Sequence, residues 1–298
     1  MDMTKIILQG ALTAIVTPFT KSGAVDFPAF RRLLKRQVAG GVSGIVVCGS
    51  TGEAVTLNDK EYAEVIQFAV KEVAGKIPVI AGAGSNNTAR AIELSKIARA
   101  QGAVGLLHVS PFYNKPTPNG LVAHYKAIAD AVPLPVILYN VPSRTGSNVL
   151  PATVVRIARE VPGVIAIKEA AGKIDQFRDI IKDAPKGFVV LSGDDAITLE
   201  AMRLGARGCI SVVANEVPKE FTELCQEALA GNWKRAEELH RRLLPLMDIN
   251  FIESNPIPVK TALSMMGLIQ ESFRLPLVAL EPQNKAKLKK CLQGLGLI

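Results

Sequence analysis

The sequence predicts an α/β protein, a (β/α)₈ TIM barrel with a C-terminal helical appendage. Short Val/Ile/Ala-rich runs alternate with longer amphipathic stretches that carry Lys, Arg and Glu, and polar or Gly-rich turns lie between them. Near-continuous apolar runs are typical of parallel strands that are covered on both faces. Eight strand–helix units in about 230 residues are the number that closes such a barrel.

The eight predicted strands cover residues 11–16, 44–48, 78–82, 104–109, 135–139, 164–168, 188–192 and 208–213. The predicted helices of the barrel cover residues 27–40, 59–74, 88–101, 119–131, 151–160, 174–183, 195–205 and 218–230. Asp26 and Thr88 are candidate caps of the first and third helices, and Pro151 and Pro218 would lie near helix N-termini. A doubly wound sheet is the alternative, but it usually has fewer strands, and no GxGxxG sequence follows the first strand.

The alternation ends at Gly231, and the rest of the chain is predicted to be helical. Helices are expected at residues 232–247, 257–268 and 284–294, with prolines between them. We therefore expect residues 1–231 to form the barrel and residues 232–298 to form a C-terminal helical region.

The composition is that of an ordinary globular protein: 48% of the 298 residues are hydrophobic and 21% are charged. The net charge of +8 is spread over many predicted helices, and no aromatic residues interleave with the basic ones of the last helix. This pattern argues against nucleic acid as a partner, whereas a mild positive field suits anionic substrates. The four cysteines form no CxxC pair, as expected of reduced thiols in the cytosol.

The first residues are apolar, but they do not match a signal peptide. Asp2 interrupts the region that should be basic, and no small-residue cleavage site follows. The longest uncharged stretches are too short and too polar to cross a bilayer. We therefore expect a cytoplasmic protein without a membrane partner.

Lys168 is the strongest candidate for a catalytic residue. It follows the apolar run 164–167 at the C-terminal end of a strand, where the active sites of such barrels lie. A lysine in this environment is costly unless it is used. An amine in an apolar environment loses its proton more readily, and the neutral amine can form a Schiff base with a keto acid. The alternative is a structural lysine paired with Glu169 or Glu53.

Other polar residues also follow predicted strands. Tyr139 could act as an acid and base, or it could simply pack at the rim of the barrel. Ser50 and Thr51 lie in a Gly-flanked turn that could hold a small carboxylate, or that could only cap a helix. Arg144 lies in a Pro/Ser/Gly loop and could bind a carboxylate with two hydrogen bonds, although an isolated loop arginine is usually a surface residue.

No metal site is predicted. His108, His124 and His240 do not have the spacing of metal ligands. Asp194 and Asp195 could bind Mg²⁺, but we expect them to cap the helix that begins there.

Six motifs occur in the order and spacing of a single barrel. They are GSTGE at 49–53, SPFYNKP at 110–116, YNVPSRTG at 139–146, IKEA at 167–170, SGDD at 192–195 and GCISV at 208–212. In these motifs, and from about Gly10 to the last helix, the chain resembles the dihydrodipicolinate synthase/N-acetylneuraminate lyase family of class I aldolases.

The resemblance implies roles for most of these residues. Lys168 would form the Schiff base with pyruvate, and no other cofactor would be needed. Tyr139 would donate and accept protons in a relay with Ser50 and Tyr113. The tyrosine at 113 would reach the active site of a neighbouring subunit, within a homotetramer built as a dimer of dimers.

The resemblance also implies how the substrates bind. Thr51 and the backbone at Ile210 would contact the pyruvate carboxylate, and Gly193 would lie close to the site. The form YNVPSRTG looks like the synthase branch, in which the arginine, here Arg144, holds the carboxylate of aspartate 4-semialdehyde. The product would be 4-hydroxy-tetrahydrodipicolinate, an early intermediate of diaminopimelate and lysine biosynthesis.

Two departures from the family pattern matter. Many synthases have GTTGE, and this chain has Ser50, which keeps the hydroxyl but is also common in the lyases. At the positions where lysine-inhibited members carry polar and acidic residues, this chain has Ala54, Val55, Asp59, Tyr62, Arg90 and Phe112, and only Asn86 is in keeping. Because Arg90 would repel the inhibitor's ammonium group, we predict weak or absent inhibition by lysine.

Two other functions are compatible with parts of this pattern. A 2-keto-3-deoxy sugar acid aldolase or an N-acetylneuraminate lyase would share Lys168, Tyr139 and Thr51 and would use Arg144 differently. A non-catalytic protein that binds a keto acid is the second alternative, but it would be expected to lack the lysine or the tyrosine.

Overall fold

A computed structural model of the chain describes residues 6–298. Eight parallel strands pair in sequence order, and the first pairs with the last to close a barrel. The strands are β1 (Gly10–Ala14), β2 (Gly44–Val47), β3 (Val79–Gly82), β4 (Gly105–Val109), β5 (Val136–Asn140), β6 (Val164–Glu169), β7 (Val189–Ser192) and β8 (Gly208–Ser211). The predicted fold class is confirmed.

Helices surround the barrel and continue beyond it. They are α1 (Phe27–Ala39), α2 (Asp59–Val73), α3 (Thr88–Ala100), α4 (Pro118–Ala131), α5 (Pro142–Thr145), α6 (Pro151–Glu160), α7 (Ile174–Asp183), α8 (Thr198–Arg203), α9 (Pro218–Leu229), α10 (Trp233–Ile249), α11 (Ile257–Met265) and α12 (Pro282–Gly294). The short helix α5 was not predicted, and α8 is shorter at both ends than the predicted 195–205.

One of the two predicted helix caps is wrong. Asp26 caps α1, because its Oδ1 accepts a hydrogen bond from the Ala29 N–H at 2.9 Å. At α3 the cap is Asn87, which accepts from the N–H of Ala89 at 3.0 Å. Thr88 is already the first helical residue, and its hydroxyl is hydrogen-bonded to His124 Nδ1 instead.

Two apolar layers hold the barrel together. Side chains inside the barrel form one cluster, which includes Leu12, Val46, Ile137 and Leu191. The larger cluster lies between the outer face of the strands and the surrounding helices. Because successive residues of a strand point to opposite faces, each strand contributes to both layers.

The C-terminal helices cover one side of the barrel. Helix α10 packs against α9 and α12, and α11 packs against α12. The segment between α10 and α11, residues 250–256, lies beside the C-terminal ends of the strands. The boundary between a barrel at 1–231 and a helical region at 232–298 stays a prediction.

In the part of the chain that the structure describes, no helix combines the length and the apolar character that crossing a membrane requires. The expectation that rests on Asp2 falls outside the described residues.

Candidate active site

A cavity of about 630 Å³ lies at the C-terminal ends of the strands. Of the residues predicted for the site, six line it: Ser50, Thr51, Tyr139, Arg144, Lys168 and Gly193. These side chains come from the ends of different strands and are brought together by closure of the barrel.

Lys168 and Tyr139 are neighbours on the adjacent strands β6 and β5. The amine Nζ of Lys168 lies 4.5 Å from the centroid of the Tyr139 ring. Lys168 is only 5% exposed, and Tyr139 only 7%. A buried amine and a phenol therefore face the same small cavity.

Neither carboxylate suggested as a structural partner pairs with Lys168. Glu169 points to the opposite face of β6, where Asn140 and Gln176 donate hydrogen bonds to it. Glu53 forms an ion pair with Lys260. Among residues 6–298, no carboxylate oxygen lies within the 4.0 Å of a salt bridge to Lys168 Nζ.

A hydrogen-bond network around Glu169 lies on the opposite face of the strands that carry Lys168 and Tyr139. Asn140 follows Tyr139, and its Nδ2 donates to both carboxylate oxygens of Glu169, at 3.1 and 3.0 Å. Gln176 Nε2 donates to the same carboxylate at 2.8 Å. Burial raises the pKa of Glu169, and the hydrogen bonds from Asn140 and Gln176 oppose that rise. The bonds from Asn140 join β5 to β6 directly beside Tyr139 and Lys168, and the bond from Gln176 joins α7 to β6.

Thr51 and Arg144 are joined through Asn255, which the sequence analysis missed. Asn255 Nδ2 donates to Thr51 Oγ1 at 3.0 Å. Arg144 Nη2 donates to the backbone oxygen of Asn255 at 2.9 Å. Since the Thr51 hydroxyl accepts this bond, its own hydrogen is free to be donated to a ligand.

Asn255 belongs to a segment that was predicted only as a connection between helices. Phe251, Glu253, Ser254 and Asn255 all line the cavity. These residues do not follow a strand, because they come after α10 and lie outside the strand–helix repeat. The one signal in the sequence is the polar run Glu253–Asn255 before a pair of prolines.

Gly193 allows the close approach of Lys168. A Cβ at this position would lie 2.7 Å from Lys168 Cε and 2.9 Å from Ala170 Cβ. Those distances are shorter than carbon atoms tolerate, so any side chain here would displace the lysine.

Ile210 and Tyr113 are not among the residues that line the cavity of this chain. Ile210 is buried in β8, beside the cavity-lining residue Val212. Tyr113 follows β4, has a φ of 71° and is 88% exposed. Ser50 lies at the cavity, in the exposed part of the turn after β2.

The prediction that Asp194 and Asp195 cap the following helix is wrong for both, because α8 begins at Thr198 and has no side-chain cap. Asp195 makes a different contact. Asp195 Oδ2 accepts hydrogen bonds from the N–H groups of Val212 and Val213, at 3.0 and 2.8 Å, and these bonds hold the loop after β8 in place. Asp194 accepts from the N–H of Ala196 at 3.1 Å within the turn, and α8 begins only at Thr198. Burial, together with the charge of Asp195, raises the pKa of Asp194.

A buried ion pair fixes the turn that carries Ser50 and Thr51. Glu53, at the end of this turn, has a left-handed backbone with a φ of 52°. Its carboxylate pairs with Lys260 of α11, and both side chains are almost completely buried. Burial lowers the pKa of Lys260, and the charge of Glu53 opposes that change.

The histidines and cysteines give no sign of a reactive site. Burial lowers the pKa of His108 to about 3 and that of His124 to about 4, so both are neutral near pH 7. Burial raises the pKa of Cys48, which keeps the thiol protonated. Within residues 6–298, no group of three or more His, Cys, Asp or Glu side chains could hold a metal ion.

A buried amine without a carboxylate partner, next to a tyrosine in the mouth of a (β/α)₈ barrel, defines a class of enzyme. The chain is a lyase of the class I aldolase type. Comparison with known proteins identifies the family, because the dihydrodipicolinate synthetase family matches residues 7–295, and the chain belongs to it.

Individual relatives agree with this assignment over nearly the whole chain. The 4-hydroxy-tetrahydrodipicolinate synthase of Maridesulfovibrio salexigens is 51% identical over 290 residues, which are 97% of this chain and 99% of that protein. The crystal structure of dihydrodipicolinate synthase from Aquifex aeolicus is 45% identical, with a TM-score of 0.95 over 97% of this chain and 99% of the other.

A third relative carries a ligand. The chloride-inhibited dihydrodipicolinate synthase of Acinetobacter baumannii, solved in complex with pyruvate, is 45% identical, with a TM-score of 0.96 over 98% of this chain and 100% of the other. The family and the enzyme class predicted from the sequence are confirmed. The predicted synthase function is favoured over a sugar-acid aldolase or an N-acetylneuraminate lyase.

Proposed function

We propose that the chain condenses pyruvate with L-aspartate 4-semialdehyde to give 4-hydroxy-tetrahydrodipicolinate, in the biosynthesis of diaminopimelate and lysine. The observation that carries the proposal is the position of Lys168. Its amine lies in the cavity, 4.5 Å from the Tyr139 ring centroid, and no carboxylate of the described residues forms an ion pair with it.

The amine of Lys168 attacks C2 of pyruvate, and loss of water gives the Schiff base. Removal of a proton from C3 then gives an enamine, which attacks the aldehyde carbon of the second substrate. Tyr139 moves the protons of these steps, in a relay with Ser50 and Tyr113. The amino group of the second substrate finally attacks C2, which closes the ring and releases the lysine amine.

The free hydrogen of the Thr51 hydroxyl supports a contact with the pyruvate carboxylate, together with the backbone at Ile210. Gly193 leaves room for the lysine beside it. Arg144, which lines the cavity, binds the carboxylate of the aldehyde. No external cofactor or metal is required, because the Schiff base itself withdraws the electrons that are left on C3 when its proton is removed.

Tyr113 acts in the site of a neighbouring subunit in this proposal. A large aromatic side chain that is 88% exposed, on a residue with a φ of 71°, supports a contact with a second copy of the chain. The assembly is a homotetramer built as a dimer of dimers, and it works in the cytoplasm on small molecules rather than on nucleic acid or membranes.

The first experiment tests the covalent step. Incubation with pyruvate and borohydride should add one pyruvate-derived group to Lys168, as located by peptide mass spectrometry. Lys168→Ala should abolish the adduct, whereas Lys182→Ala, which changes an exposed lysine of α7, should not affect it. An adduct at another lysine would refute the assigned role.

The second experiment tests the second substrate. Pyruvate-dependent consumption of aspartate 4-semialdehyde is followed through an NADPH-dependent reductase that consumes the product. Turnover by the unchanged protein, and none by Lys168→Ala, is the expected result. An adduct without turnover would support formation of the Schiff base but would show that aspartate 4-semialdehyde is not the second substrate.

A further inference from the structure

Two fully buried polar side chains meet just outside the active site. Glu216 follows the 3₁₀ turn Val213–Asn215 after β8, and Asn250 follows the last residue of α10. Both side chains are 0% exposed. Asn250 Nδ2 donates to Glu216 Oε2 at 2.8 Å.

The other carboxyl oxygen of Glu216 and the amide oxygen of Asn250 have no hydrogen-bond donor. Among the described residues, Glu216 Oε1 and Asn250 Oδ1 are both buried and without a partner. An ionised carboxylate and an amide carbonyl can only accept, so neither atom can satisfy the other. A single proton on Glu216 removes both defects, because the acid O–H can then donate to the amide oxygen.

The charges around Glu216 do not favour ionisation. The guanidinium of Arg36 in α1 donates to the backbone oxygen of Glu216, not to its carboxyl group. Asp195, after β7, is a nearby negative charge that opposes ionisation of Glu216. Burial raises the pKa of Glu216 well above its usual value.

We propose that Glu216 keeps its proton at neutral pH and forms a neutral acid–amide pair with Asn250, and that this pair positions the segment that completes the cavity. In the pair, Asn250 donates to one oxygen of Glu216, and Glu216 donates through the other to Asn250 Oδ1. Both are positioning residues, since neither lines the cavity.

The chain connects the pair to the site on both sides. Asn215 precedes Glu216 and is fixed to β1, because its Oδ1 accepts from Val16 N at 3.1 Å and its Nδ2 donates to Ala14 O at 2.9 Å. On the other side, Asn250 is followed directly by the segment whose residues Phe251, Glu253, Ser254 and Asn255 line the cavity. Asn255, at the end of this segment, is the residue that joins Thr51 to Arg144.

Glu216→Gln is the informative variant, because a glutamine can make the same pair without a titratable proton. Its amide oxygen accepts from Asn250, and its NH₂ group donates to Asn250 Oδ1. The infrared spectrum of the native protein near pH 7 should contain the C=O stretch of a protonated carboxylic acid, and Glu216→Gln should lack it. If the two spectra agree in this band, Glu216 is ionised and the proposal fails.

The pH dependence of unfolding gives an independent measurement. The folded protein holds a proton on Glu216 that the unfolded chain has lost, so stability should fall as the pH rises above the unfolded pKa. At pH values above the unfolded pKa of Glu216 and below its folded pKa, the unfolding constant of the unchanged protein should rise about tenfold per pH unit relative to that of Glu216→Gln. The control variant Glu200→Gln, at an exposed residue, should have an unfolding constant with the same pH dependence as that of the unchanged protein. If the pH dependence of Glu216→Gln also equals that of the unchanged protein, Glu216 is not protonated. All proteins are unfolded in urea at one chain concentration.

The positioning role is tested by kinetics, and this readout rests on the proposed function. Asn250→Leu keeps the volume and removes the pair, so it should raise the KM for aspartate 4-semialdehyde about tenfold or more through displacement of Asn255 and Arg144. Glu216→Gln should stay within about twofold of the unchanged protein in both kcat and KM. An unaltered KM in Asn250→Leu, or a KM raised in Glu216→Gln as much as in Asn250→Leu, would refute the positioning role. The infrared and unfolding results need no substrate, so failure of the proposed function would leave them unaffected.

Discussion

Replacement of Lys260 by Met removes one half of a buried ion pair and should destabilise the protein severely. The side chains of Lys260 and Glu53 are 0% and 1% exposed. The second oxygen of Glu53 has only a long hydrogen bond, from the Arg274 N–H at 3.4 Å. In Lys260→Met the buried carboxylate would therefore lose its ion pair and keep only this long hydrogen bond and the more distant charge of Arg274, which costs about 3–5 kcal/mol.

This loss corresponds to a roughly 10²- to 10⁴-fold increase in the unfolding constant. It can be measured by urea unfolding followed through the fluorescence of Trp233, the only tryptophan of the chain. Lys285→Met is the matched control, because its pair with Glu271 is partly exposed, at 39% and 23%, and should be worth less than about 1 kcal/mol. The double variant Glu53→Gln/Lys260→Met removes the unpaired charge and should recover more than half of the loss.

Activity should follow stability in this series, because Glu53 ends the turn that carries Thr51. A released carboxylate would shift this turn, and the KM for pyruvate should rise more in Lys260→Met than in the double variant. Equal destabilisation by Lys260→Met and Lys285→Met, or a double variant no more stable than Lys260→Met, would show that burial of the charge does not determine the effect.

Three further outcomes test the site. Tyr139→Phe should lower kcat by about 10²- to 10⁴-fold while the protein stays folded, as measured by the coupled assay and circular dichroism. Arg144→Ala should raise the KM for the aldehyde by about tenfold or more and leave formation of the pyruvate adduct unchanged, and an equal loss for both substrates would contradict its role. Lysine should half-inhibit the enzyme only above about 1 mM, because Arg90 occupies one of the positions at which lysine-inhibited members of the family carry polar and acidic residues. Inhibition well below this concentration would refute the prediction.

The strands and most helices could be predicted because they depend on local patterns. An apolar run of strand length between amphipathic stretches has one common structural solution, and repetition of that pattern eight times closes a barrel. The prediction of a helix cap was wrong at α3, where two cap-forming residues, Asn87 and Thr88, are adjacent. Sequence alone does not tell which of the two keeps the non-helical backbone of a cap.

The site was predictable as far as it is built from strand ends. The alternation of side chains along β6 also decides whether Lys168 could pair with Glu169, because consecutive strand residues cannot point into the same cavity. Glu169 could therefore have been excluded as its partner from sequence. Asn255 and Lys260 could not be predicted, since their positions depend on how the C-terminal segment packs against the barrel.

Gly193→Ala tests whether the position of Lys168 is set by the space beside it. The added methyl group would lie 2.7 Å from Lys168 Cε and 2.9 Å from both Lys168 Cγ and Ala170 Cβ. The flexible lysine can give way, whereas Ala170 Cβ moves only with its backbone. We therefore expect a folded protein with lowered thermal stability and with formation of the pyruvate adduct slowed by about 10²-fold.

Gly49→Ala is the control for this change. Gly49 also lines the cavity, but its Cβ would meet only Val46 Cγ1, at an ordinary 3.9 Å. It should form the adduct at nearly the unchanged rate. If both alanine variants react at the same rate with pyruvate, the close approach at Gly193 does not control the lysine, and the cavity tolerates more movement of Lys168 than its packing implies.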